Sequence, residues 1–313
     1  MGSMAEQSDL TVDLGRGLHL RSPVMVASGT FGYGFNAPQV DRSALGAIVS
    51  KGTTLRPREG NAPIRIAETP SGMLNAIGLQ NPGVDHVARV YAPQWANWDL
   101  PVIVNVAGDS VDEYVAVARR LDGIAGVAGL ELNISCPNVE SGLQFGVDPV
   151  LAAKVTHAVR AATELPLIVK LTPNVTDVVA VARAVEDAGA DAISAINTYV
   201  GMAIDVRRRR PIISRGSGGL SGPAIKPLAV YAVWQVAADV HIPVIGVGGI
   251  MTPTDALEFL LAGASAVQLG TVNYVRPQAA VEIRDGIASY LAEHGLADLR
   301  ALAIRPMSAL IHV

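Results

Sequence analysis

Three asparagines and two lysines occupy matching places in this sequence. Asn105, Asn133, Asn197, Lys51 and Lys170 each sit at or near the end of a short apolar run. A carboxamide offers donors and an acceptor together. A ring of amides therefore suits a flat heterocycle with alternating C=O and N–H groups. Any one of these asparagines alone would also serve loop backbone groups, but the repetition at equivalent positions argues for a site. Ala27-Ser28-Gly29, Lys51-Gly52 and Asn197-Thr198 close three of the runs. Gly248-Gly249 and Gly270-Thr271 close two more, where glycine lets backbone N–H groups approach a phosphate. Each of these two pairs is, by itself, equally compatible with a plain turn.

Cys136 follows the same pattern of interest. A lone cysteine is usually a small buried hydrophobe. This one stands between Ser135 and Pro137 in a loop, where a thiol can act as base or nucleophile. It would need help from its surroundings, because a free thiol titrates at about 8.5. A metal site is not expected: the six histidines form no H-x-x-x-H or H-E-x-x-H pair, and there is one cysteine. No phosphate-loop or dinucleotide-binding glycine motif is present.

The elements that must position these residues follow from hydropathy. Eight Val- and Ile-rich runs recur, at 23–29, 46–52, 102–108, 129–135, 166–172, 192–198, 243–249 and 266–271. They are continuously apolar rather than alternating, as strands of a parallel sheet buried on both faces should be. Helix signals lie between them. Ser110 with Glu113 reads as a capping box, Thr252-Pro253 with Asp255 as a helix start, and Asp148-Pro149 as another. Val178, Ala182, Val185 and Gly189 have the spacing of an inner helix stripe. Eight strand–helix units predict an α/β fold, the (β/α)8 TIM barrel, with an open doubly wound sheet as the alternative. Residues 10–20 read as a hairpin that could cap the barrel bottom. Residues 53–100 read as a long insertion after strand two, rich in Pro, Gly, Asn and Arg and helical only in its second half. No linker or composition break appears, so one domain over 1–313 is expected. Residues 1–8 are set aside as disordered or tag-derived, because Met1-Gly2-Ser3 precedes a second Met.

Composition narrows the function classes. Half of the 313 residues are hydrophobic and 17% are charged, which excludes a disordered chain. The net charge of −4 gives no field to attract nucleic acid or an anionic membrane. No apolar run has membrane-spanning length without polar breaks, and the first residues lack the pattern of a signal peptide. A cytoplasmic protein is expected. The arginine run Arg207, Arg208, Arg209 and Arg210 reads as a solvated loop, with a role at a ligand or subunit surface left open.

Longer motifs then carry a resemblance. Ala27-Ser28-Gly29-Thr30-Phe31-Gly32-Tyr33-Gly34, Asn75-Ala76-Ile77-Gly78-Leu79-Gln80-Asn81-Pro82-Gly83, Asn133-Ile134-Ser135-Cys136-Pro137-Asn138-Val139, Gly218-Gly219-Leu220-Ser221-Gly222-Pro223-Ala224-Ile225-Lys226-Pro227 and Gly248-Gly249-Ile250 run nearly end to end. In these stretches the chain resembles the class 1B dihydroorotate dehydrogenases, catalytic subunits of the NAD+-linked enzyme of de novo pyrimidine biosynthesis. The quinone-using membrane class places serine where Cys136 stands, and the fumarate-using class differs in the 75–83 loop.

The resemblance implies a barrel with FMN at the strand C-termini and oxidation of dihydroorotate to orotate. Cys136 would take the C5 proton, and a hydride would leave C6 for the flavin. FMN would lie on Ala27, Ser28, Lys51, Gly52, Asn105, Asn133, Lys170, Ile196, Gly222, Gly248, Gly249, Gly270 and Thr271. The pyrimidine would be read by Lys51, Asn75, Ala76, Ile77, Gly78, Leu79, Asn105, Asn133, Asn197 and Thr198. It also implies a homodimer of this chain within a heterotetramer. Two electron-transfer chains there carry FAD and an iron–sulfur cluster. A dihydrouracil-type oxidoreductase is the nearest alternative. A flavin-free lyase or isomerase using Lys170 as Schiff-base former is the alternative of another class.

Overall fold

The eight apolar runs form eight parallel strands that close into one barrel. These are β1 (Val24–Val26), β2 (Ala47–Val49), β3 (Val102–Val106), β4 (Gly129–Asn133), β5 (Leu167–Leu171), β6 (Ala192–Ala195), β7 (Val244–Val247) and β8 (Ala266–Leu269). Neighbours in the barrel are neighbours in sequence, and β8 closes on β1 through Val267↔Val24 and Leu269↔Val26. The fold is a (β/α)8 barrel, and closure rules out the open sheet. The structure, a computed structural model, describes residues 8–35, 40–135 and 145–302. Residues 1–7 of the leader set aside above lie outside it, while Ser8 donates its hydroxyl to the Leu296 carbonyl at 3.0 Å.

The strands are shorter than their runs because the polar residues that follow leave the ladder. Their apolar residues serve two cores. Met25, Val49, Ile103, Ile168 and Ile245 pack inside the barrel. Val24, Ile48, Val104, Leu132 and Val169 pack outward against the helices. This alternation with both faces apolar is why the runs carry no polar face. The strands Val12–Asp13 and His19–Leu20 pair antiparallel, and Val12, Leu14, Leu18 and Leu20 join the inner core. The hairpin therefore closes the barrel at the N-terminal ends of the strands.

The main outer helices are α1 (Val111–Leu121), α2 (Pro149–Arg160), α3 (Val178–Asp187), α4 (Lys226–Ala237), α5 (Pro253–Leu261) and α6 (Ala279–Glu293). Thr252 and Asp255 complete a capping box on α5, and Asp148 caps α2 ahead of Pro149. At α1 the box is offset. Ser110 Oγ accepts from Glu113 N, but the Glu113 carboxylate accepts from Asp109 N instead of the cap's own N–H. In α3 the buried residues are Val181, Ala182 and Val185, with Val178 and Gly189 only half-buried.

The insertion after β2 is more ordered than its Pro- and Gly-rich first half suggests. Ile66–Thr69 and Gly72–Asn75 form a hairpin. Gly218–Ser221 adds to Gly72–Asn75, and Tyr199–Gly201 adds outside that, giving a four-stranded antiparallel sheet. Its partners come from the loops after β2 and β6. The second half is helical as expected, through Val84–His86, a π-helical turn Val87–Tyr91 and Ala92–Trp95. All four arginines at 207–210 are exposed, and Arg208 lies 3.7 Å from Asp205. Among the described residues, no helix is long and apolar enough to cross a membrane.

Candidate active site

A cavity of about 610 Å³ opens at the C-terminal ends of the strands, above the inner core. Every described residue picked out from the sequence lines it: Ala27, Ser28, Lys51, Gly52, Asn75, Ala76, Ile77, Gly78, Leu79, Asn105, Asn133, Lys170, Ile196, Asn197, Thr198, Gly222, Gly248, Gly249, Gly270 and Thr271. Cys136 lies outside the described residues. The chain is described as far as Ser135, which is half-buried.

Two of the asparagines are bonded to each other. Asn197 Nδ2 donates to Asn133 Oδ1 at 3.1 Å and to Ser135 Oγ at 3.0 Å. Asn197 Oδ1 accepts from Thr198 N at 2.8 Å, which fixes the direction of that amide. Asn75 Nδ2 donates to Gly219 O at 3.3 Å and ties the insertion hairpin to the loop after β6. Lys51, just past β2, has no carboxylate within ion-pair distance among the described residues. Burial pushes its ammonium below the usual lysine range. A half-buried cation without a counter-ion is a receptor for an anion.

Beneath these residues lies a group that the sequence reading missed. Glu131, in the middle of β4, is fully buried. Its Oε1 accepts from Asn105 Nδ2 at 2.7 Å. Its Oε2 accepts from Ser194 Oγ at 2.9 Å and Gln268 Nε2 at 2.7 Å. Lys170 Nζ lies 3.7 Å from Glu131 Oε1 and 3.5 Å from Gln268 Oε1. The signal was present: Glu131 and Gln268 are polar residues flanked on both sides by apolar ones inside their strands. The network leaves Asn105 Oδ1 buried with no hydrogen-bond partner among the described residues. Arg58 and Asp109, also missed, form a 2.6 Å ion pair on the cavity wall.

At the β7 end the backbone itself is the lining. Gly249 has φ +77°, and a Cβ there would stand 2.8 Å from both Gly222 O and Lys226 Cβ. Glycine is needed because the turn and the 222–226 segment touch. Lys226 Nζ holds that segment to α5, at 2.7 Å from Asp255 Oδ1 and 2.6 Å from Glu258 Oε1. The hydroxyls of Thr271 and Ser221 are bonded at 2.8 Å across the same end of the cavity.

The arrangement is that of a barrel enzyme whose catalytic face binds a flat, hydrogen-bonding and partly anionic ligand. A family model described as dihydroorotate dehydrogenase matches residues 10–291. Two curated relatives bear the name dihydroorotate dehydrogenase B (NAD(+)), catalytic subunit. That of Desulforamulus reducens is 56% identical over 296 residues, covering 94% of this chain and 97% of its own. That of Trichlorobacter lovleyi is 57% identical over 295 residues, with coverage of 94% and 97%. The chain belongs to the dihydroorotate dehydrogenase family and falls in its NAD(+)-linked B class. A crystal structure of the Eimeria tenella enzyme with ferulenol superposes with a TM-score of 0.80 at 21% identity, over 96% of this chain and 90% of that one. At that identity the likeness speaks for the barrel alone.

Proposed function

We propose that this chain oxidises dihydroorotate to orotate with FMN held in the cavity, as the catalytic subunit of an NAD+-linked assembly in pyrimidine biosynthesis. The observation that carries the reading is the convergence of Lys51, Asn75, Asn105, Asn133 and Asn197 on one cavity, in a chain of this family. FMN fits what the cavity presents. The unpartnered Asn105 Oδ1 calls for an N–H donor, which a flavin ring supplies. The glycine-lined end at Gly222, Gly248 and Gly249, with Gly270 and Thr271, offers backbone to a phosphate. Ala27, Ser28, Lys51, Gly52, Asn105, Asn133, Lys170 and Ile196 would flank the ring.

The chain's own residues then divide the work. Lys51 pairs with the substrate carboxylate. Asn75, Asn105, Asn133 and Asn197 read the ring carbonyls and N–H groups, with Ala76, Ile77, Gly78, Leu79 and Thr198 shaping the pocket around them. Cys136 accepts the C5 proton as thiolate, and the C5=C6 double bond forms as the C6 hydrogen departs. Bound FMN supplies the two-electron acceptor for that hydrogen. Lys170 places positive charge where negative charge collects. Electrons leave through a partner subunit carrying FAD and an iron–sulfur cluster, since one cysteine cannot hold a cluster on this chain. The assembly pairs two such subunits with a dimer of this chain, in the cytoplasm.

The test is anaerobic. Dihydroorotate added to the yellow protein is expected to bleach the flavin spectrum. A yellow protein bleached by dihydrouracil instead would move the substrate assignment, and a protein that cannot be loaded with FMN would overturn the reading.

A further inference from the structure

The geometry points to Glu131 as the positioning residue of the cavity floor: its carboxylate sets the direction of the Asn105 and Gln268 amides and, directly and through Gln268, the place of the Lys170 ammonium. The inference rests on the reading that FMN occupies the cavity. Glu131 is fully buried and accepts from three donors, Asn105 Nδ2, Ser194 Oγ and Gln268 Nε2. A carboxylate only accepts, so each neighbouring amide must turn its NH2 toward it. That leaves each amide one way to face. Asn105 Oδ1 is turned off the carboxylate, toward Gly52, where a Cβ would stand 3.0 Å from it. Gln268 Oε1 is turned toward Lys170 Nζ, at 3.5 Å. One acidic side chain thus decides that the floor presents an acceptor beside Gly52 and a fixed cation at Lys170. Were residue 131 an amide, Asn105 and Gln268 could flip, and the floor would lose its definite pattern. None of this needs Glu131 to touch a ligand, and it does not line the cavity.

The test uses the full chain loaded with FMN. Glu131→Gln is expected to weaken FMN binding about tenfold, read from quenching of flavin fluorescence, the loss of roughly one charge-assisted hydrogen bond. It should also shift the midpoint potential of the bound flavin, because a buried negative charge is removed and Lys170 is no longer held. Exchanging the two groups, Glu131→Gln with Gln268→Glu, restores an acceptor beside Lys170. It also lets the amide at 131 accept from Asn105. This double variant is expected to recover affinity to within about threefold of wild type and most of the potential. A residue with a merely structural role would lower Tm and leave affinity and potential unmoved.

Wild-type affinity and potential in folded Glu131→Gln would overturn the proposal. A folded double variant that binds no better than the single one would do the same. Should Glu131→Gln fail to fold, the double variant decides alone: it must fold and hold FMN near wild-type strength, or the proposal falls. A wild-type chain that takes up no FMN fails at the earlier reading, which is seen without any variant.

Discussion

Asn197, just past β6, and Asn133, at the end of β4, are bonded to each other across the barrel mouth, Nδ2 to Oδ1 at 3.1 Å. The same Asn197 Nδ2 reaches Ser135 Oγ at 3.0 Å, the residue directly ahead of Cys136. Two of the asparagines that would read the pyrimidine are therefore bonded to each other, and the bond network extends to the segment that carries the proposed base.

That bond makes Asn197→Asp informative. Aspartate keeps the shape and can still accept from Thr198 N, but it cannot donate to Asn133 Oδ1 or Ser135 Oγ. Two acceptors would then face each other, at a cost of roughly 1–3 kcal/mol. A fall of about 10- to 100-fold in the anaerobic rate of flavin bleaching by dihydroorotate is expected. Rapid-mixing spectroscopy measures it directly, and an unchanged rate would show that the bridge is dispensable.

Lys51 trades stability for binding. Its folded-state pKa lies below the ordinary 10.5 because burial penalises the ammonium. Between the folded pKa and 10.5 the unfolded chain binds more protons, so stability rises with pH across that window. Below the window the whole cost is present. Lys51→Met should therefore raise Tm at pH 7, with the gain shrinking as pH nears 10.5. The same variant should bind orotate about 100-fold more weakly or worse, because the carboxylate loses its only proposed cation. Calorimetric Tm against pH and orotate titration check both halves; a Tm that falls at pH 7 would contradict the sign.

The barrel was legible because parallel strands buried on both faces are written as unbroken apolar runs. The Lys and Asn lining of the cavity followed from it, since Lys51, Asn105, Asn133, Lys170 and Asn197 stand at or near the ends of those runs. What stayed hidden has two causes. The four-stranded sheet joins Gly72–Asn75 to Gly218–Ser221, strands far apart in sequence, rich in glycine and only half-buried, so no local periodicity marks them. Glu131 and Gln268 were passed over because they lie inside runs read as wholly apolar. A buried charge in such a run has to be satisfied from neighbouring strands, and that is visible only once the strands are placed.

Gly249 sits at φ +77° with its Cα facing Gly222 O. Gly249→Ala adds a methyl 2.8 Å from that oxygen and from Lys226 Cβ. The positive φ alone costs about 1–2 kcal/mol for a non-glycine residue, and the contact forces the 222–226 segment away. FMN should be retained less well through gel filtration and its dissociation constant should rise at least about tenfold. Retention equal to wild type would show that this end of the cavity does not hold the phosphate.

Leu14 tests whether the two ends of the barrel are independent. It is fully buried in the hairpin that closes the bottom, packed with Met25, Ile103 and Ile168. Leu14→Ala leaves its backbone bond to Leu18 O intact and removes only side-chain volume. The expected loss is about 2–5 kcal/mol, seen as a lower urea midpoint with an unchanged slope. The cavity lies at the opposite ends of the strands, so the rate of flavin bleaching in the folded fraction should match wild type. Loss of rate at temperatures where the variant is fully folded would mean that the plug sets the spacing of the strand ends, and that the catalytic face depends on the core beneath it.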